Sequence, residues 1–106
     1  MDKLEFSVRL AVTAEYERAA EKFGKKHNSA HEAFAVILEE YEEAIEDTQR
    51  FRNVLHTFWG VIKGDIQNLE YKQQILDEMY TMARMAACEW VQVAAMCHKA
   101  LQGYER

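Results

Sequence analysis

Residues 29–63 read SAHEAFAVILEEYEEAIEDTQRFRNVLHTFWGVIK, and this stretch decides the fold. Phe34, Tyr41, Thr48, Leu55 and Ile62 follow one another at seven-residue steps, and Ile37, Ala44, Phe51 and Phe58 run beside them on a companion line. Two largely apolar lines with a seven-residue repeat mark a helix whose seam faces another helix. Leu38, Ile45 and Trp59 widen the seam. Ser29 and Glu32 have the spacing of a capping box, and Gly64 supplies a stop. The pattern predicts a helix over 30–63, roughly 50 Å long at ~1.5 Å per residue.

Upstream, Leu4, Val8, Ala11, Val12, Tyr16, Ala19, Ala20 and Phe23 recur at three and four residues, which predicts a helix over about 3–23. Gly24 ends it, and Lys25-Lys26-His27 forms a basic linker. Downstream, Asp65 is the expected N-cap of a third helix over about 66–102, with Leu69, Leu76, Met79 and Tyr80 facing inward in its first half. Its second half, from Met82 to Cys97, leaves little polar surface, and a helix apolar nearly all round is buried on more than one side. The chain has no proline to interrupt any of these helices. The expectation is a single all-α domain over 1–106 with three helices, two of them long and antiparallel. Its apolar surface calls for assembly into a helical-bundle dimer or higher oligomer, because a monomer exposing it would aggregate.

At 106 residues and 49% apolar composition the chain suffices for one modest core. Its net charge of -5 repels nucleic-acid backbones and anionic membranes, so neither is an expected partner. No apolar run is long enough to span a membrane, and the N-terminal segment lacks a signal-peptide core. Cys88 and Cys97 lie about 180° apart on one helix and cannot pair with each other. They read as buried reduced thiols, which fits a cytoplasmic protein.

The densest chemical feature is Glu39-Glu40-Tyr41-Glu42-Glu43, followed by Glu46 and Asp47. Carboxylates three and four apart on a helix converge, and a divalent cation between them turns their repulsion into coordination; hard oxygen donors suit magnesium (Mg2+). The plainer reading is a solvated acidic face. On the third helix Glu89, Gln92 and Lys99 form a polar line within about 80° on the wheel, with Glu78 nearby. Unpaired burial of such groups is costly, so the line faces solvent, a pairing surface or a lined cavity. His27 and His31 lack the further ligands a zinc site needs. Trp90, beside Glu89, is a core aromatic or a pocket wall.

Glu39-Glu40-Tyr41-Glu42-Glu43 together with Glu89-Trp90-Val91-Gln92-Val93-Ala94-Ala95-Met96 resembles the MazG-like all-α nucleotide pyrophosphohydrolases, found also in phages and prophages, over roughly residues 30–101. That family carries ExxE on one helix and ExxD, followed by small apolar residues, on another. The resemblance implies helical dimers or tetramers that hydrolyse a nucleoside triphosphate to monophosphate and pyrophosphate, or a relative that binds nucleotide without turnover. It makes Glu40, Glu43 and Glu89 the metal ligands and places Gln92 where the family has aspartate. Glu39 is then the candidate general base for a metal-activated water. Lys99 is a candidate phosphate contact, as are Lys25 and Lys26 beside an anion-favouring helix N-terminus. A competing expectation is a phage-encoded helical oligomer that inhibits a host defence system without catalysis, by binding a host protein through the acidic face or by sequestering a nucleotide signal. A third is a plain coiled-coil-like assembly module.

Overall fold

A computed structural model of the chain describes residues 2–104; Met1, Glu105 and Arg106, which belong to the expected domain, lie outside the described residues. Three α-helices account for nearly all of it: α1 (Asp2–Phe23), α2 (Ala30–Lys63) and α3 (Leu69–Leu101), with a short 3-10 turn at Gln102–Tyr104. Among the described residues there is no strand, and no helix is long and apolar enough to cross a membrane.

The helix ends follow from local chemistry. Gly24 takes φ +95 and donates its N–H to the Ala20 carbonyl, closing α1 in a left-handed turn that glycine adopts at little cost. Ser29 caps α2, its Oγ accepting the Glu32 N–H at 3.1 Å. Glu32 does not reach back to Ser29 in a reciprocal box; its carboxylate accepts from the Asn28 amide at 2.9 Å. Gly64 ends α2 as expected, but in a right-handed conformation. The left-handed residue is Asp65, at φ 51, and the N–H groups of Asp65 and Ile66 cap the Ile62 and Val61 carbonyls. Because Asp65 is consumed in this reversal, the expected start of the third helix is corrected. Asn68 is its N-cap, the Asn68 Oδ1 accepting the Tyr71 N–H at 3.0 Å, and α3 begins three residues later than the pattern alone suggested.

α2 and α3 form an antiparallel hairpin, and α1 lies against α3. The expected α2 seam splits in two. Ile37, Ala44, Phe51 and Phe58 turn toward α3, and Ala44 is fully buried. Phe34, Tyr41, Thr48, Leu55 and Ile62 lie on an exposed flank, where Trp90 of α3 reaches Tyr41 and Thr48. On α3 the inward face is also corrected. Ile75 is buried and Met79 half-buried, whereas Leu69, Leu76 and Tyr80 are exposed. Ile75, Met79 and Met82 share the face that meets α2, and Leu69, Leu76 and Tyr80 lie about 100° away from it. The buried apolar core is small: Ala44, Val61, Ile75, Ala95 and Met96. Cys88 and Cys97 are exposed, which overturns their reading as buried thiols.

Candidate metal centre

Midway along the hairpin, on the edge turned toward α1, Glu40 and Glu43 of α2 meet Glu89 of α3. One carboxylate oxygen from each lies within 4.8 Å of the other two. The local cause is helix periodicity: three residues separate Glu40 from Glu43, which sets them one turn apart on one side of α2. The antiparallel register then brings Glu89 alongside. Trp90, next in sequence, fixes that register from the other side of α3. Its ring meets Tyr41 edge-on at 6.0 Å between centroids, and its Nε1 lies 3.4 Å from Thr48 Oγ1.

Crowding of like charges shows in the acidities. Burial, followed by the charges of Glu43, Glu89, Glu39 and Glu15, pushes the Glu40 carboxyl above the ordinary carboxylate value. Burial, the charges of Glu43 and Asp47, and a hydrogen-bonding contact with Glu43 do the same for Glu89. A cation among them would relieve both desolvation and repulsion. Three convergent carboxylates, all oxygen donors, fit a hard divalent ion better than a soft one.

A residue that sequence reasoning missed stands at the border of this cluster. Glu15 of α1 accepts a hydrogen bond from the Gln92 amide at 2.8 Å and is gripped by Arg18 at 2.6 Å. The Arg18 bond and the Gln92 bond hold the Glu15 carboxyl below its usual range against the opposing effect of burial. Gln92, which stands where the family pattern has aspartate and is a candidate cofactor contact, ties α3 to α1 and points its amide at the Glu15 carboxylate. Glu15 and Arg18 look in sequence like an ordinary surface pair three apart, and no local signal links them to position 92.

The remaining candidates separate. Glu39 is exposed beside Glu40 and close enough for its charge to be felt there. Asp47 is buried and paired with Arg50 at 3.1 Å. Lys99 is buried in the last turn of α3, where the helix end favours a cation, and among the described residues no carboxylate lies within ion-pair distance of it. Lys25 and Lys26 are exposed in the linker before α2, about 15 Å along that helix from Glu40. They do not join the carboxylates. Near them His27 is the buried residue of the linker, its side chain 3% exposed, with both ring nitrogens unpartnered and Nδ1 3.7 Å from Glu32. It borders a cavity of about 500 Å³ between the start of α2 and the end of α3. His31 is exposed.

No protein-family model matches this chain, and no curated protein or solved structure matches it.

Proposed function

We propose that the chain is a magnesium-dependent nucleotide-binding protein of the MazG-like type, acting on or holding a nucleoside triphosphate at the Glu40–Glu43–Glu89 cluster. The observation that supports this reading is the convergence of those three carboxylates, which lie 46 positions apart in sequence between Glu43 and Glu89 yet meet within 4.8 Å. Magnesium bound there would neutralise a triphosphate and lower the pKa of a coordinated water.

The protein's own contribution is positional. Glu40, Glu43 and Glu89 supply ligands from two helices packed against each other, so their spacing is set by the hairpin rather than by a loop. Glu39, exposed at the rim, is the carboxylate left to accept a proton from water. Glu15 adds negative charge on the α1 side, held in place by Arg18 and Gln92. Lys99 lies on the same side of α3 as Gln92 but is buried and about 15 Å along the helix from Glu89, so it adds positive potential at that end rather than a direct phosphate contact.

The test is turnover of a nucleoside triphosphate panel with magnesium, followed as release of pyrophosphate. Removing a ligand that acts in the transition state typically costs ~10²-fold or more. Glu43→Gln and Glu89→Gln are expected to lower turnover by at least that factor while keeping the helical signal. Glu39→Gln is expected to lower turnover without weakening metal binding. Equal activity in all three variants and the parent would dismiss the cluster as the reacting centre.

A further inference from the structure

We infer that the cavity between the start of α2 and the end of α3 binds a small organic acid, a carboxylate on an apolar body, with its head at the first turn of α2 beside His27. The inference stands apart from the metal reading, because that turn lies about 15 Å along α2 from Glu40.

One end of the cavity holds a polar side chain whose hydrogen bonding the chain does not complete. The His27 side chain is 3% exposed, and neither ring nitrogen has a hydrogen-bond partner among the described residues. Glu32, 3.7 Å from Nδ1, is beyond hydrogen-bond distance, and its carboxylate already accepts from the Asn28 amide. Burying a polar group without a partner is costly, and in either protonation state an imidazole has an N–H to donate. Further donors stand beside it. The N–H groups of Ala30 and His31 precede the first bonds of α2, which Glu32 and Ala33 make to Ser29. Ser29 accepts through its Oγ and keeps its own hydroxyl proton to give. The linker that carries His27 is pinned in place. Tyr16 of α1 donates its hydroxyl to the Lys25 carbonyl at 3.0 Å, and its ring meets His98 of α3 edge-on at 4.7 Å between centroids.

Charge selects an anion. No carboxylate lines the cavity, so a cationic ligand would find no counter-charge on its walls. The N-terminus of α2 favours negative charge, and the exposed Lys25 and Lys26 precede it. On the facing wall Lys99 is buried one residue before Ala100, and its charge offsets the partial negative charge at the end of α3.

The walls select the body. Ala30, Ala33, Phe34 and Ile37 recur at three and four residues and form one side, while Ala100 stands on the other. Inorganic phosphate or a triphosphate would leave this apolar surface uncovered, whereas a ring or short alkyl chain behind the carboxylate buries it. The volume, about 500 Å³, lies within the range of small-molecule sites.

The experiment is calorimetric titration of the full chain, without magnesium, by phenylpropionate and by octanoate, with phenylethylamine and inorganic phosphate as the contrasting probes. At least one acid is expected to bind saturably and more tightly than about 1 mM, with the amine and phosphate at least about tenfold weaker. Either acid as the tighter ligand supports the inference and tells an aromatic body from an aliphatic one. His27→Phe keeps a buried ring without its nitrogens and is expected to weaken acid binding at least about tenfold. At Gly103, which lines the cavity, an added Cβ meets nothing within 4 Å, so Gly103→Trp is expected to fill the cavity without disturbing the fold and to weaken binding likewise. No saturation by either acid at about 10 mM would overturn the inference, as would an amine or phosphate binding as tightly as the acids, and neither result requires a variant to fold. Parent-like acid binding by either folded variant would overturn it too.

Discussion

Glu89 shows how a single side chain links stability to pH. It sits half-buried on α3, with Glu43 and Asp47 facing it from α2, and its carboxyl holds its proton more strongly than a free one. In the folded chain it therefore binds protons over a window in which the unfolded chain has already released them. Stability contributed by such a group is present below the ordinary carboxylate value and is lost as pH rises through the raised one. Glu40 adds in the same direction. Without divalent cations, melting temperature is expected to fall as pH rises across that window. Glu89→Gln should raise the melting temperature at neutral pH by a few degrees and flatten the profile. A Glu89→Gln melting curve unchanged at neutral pH would show that the clustered charge costs the fold nothing. Glu40, Glu43 and Glu89 were legible in the sequence because helix periodicity and a resemblance singled them out. Glu15 was not. Its approach to Gln92 depends on how α1 docks, which no short-range spacing encodes.

Among the elements, the reversal between α2 and α3 is the most revealing. Gly64 stops α2 as its position predicts, but it stays right-handed and Asp65 takes the left-handed conformation. A Cβ at Gly64 would sit 3.2 Å from the Gly60 carbonyl oxygen, so that glycine serves close approach rather than positive φ. Left-handed backbone costs a residue with a Cβ about 1–2 kcal/mol, and glycine gives part of this back as unfolded-state entropy. Asp65 recovers some of the cost because its Oδ1 accepts from the Gln67 amide at 2.6 Å. Asp65→Gly is expected to stabilise the chain by about 0.5 kcal/mol, read as a higher denaturant midpoint with an unchanged slope. A lower midpoint would mean that the Asp65–Gln67 contact outweighs the backbone relief. The extents of α1 and α2 were readable because caps and periodicity agree there. The start and inward face of α3 were not, since Asp65 and Asn68 are both good caps and α3 carries two apolar stripes. Only tertiary packing decides which stripe meets α2.

The whole molecule is a thin, extended hairpin with one helix laid along it, measuring 61 × 30 × 22 Å. Its all-helical class and its two long antiparallel helices follow from the absence of proline and from the seven-residue repeat. Its second apolar stripe explains why the latter half of α3 reads as apolar on nearly every side: part meets α2, part meets α1, and part faces outward. The polar line through Glu89, Gln92 and Lys99 falls at the border between the α2 and α1 contacts, which is how carboxylates come to gather inside an otherwise apolar seam. The proposed function depends on whether that gathering holds a cation. The most direct measurement is calorimetric titration of the metal-free protein with magnesium at neutral pH, beside a Glu40→Gln/Glu43→Gln/Glu89→Gln triple variant. The prediction is saturable binding by the parent chain that the triple variant loses. No saturable binding by the parent, or equal binding by both, would contradict it.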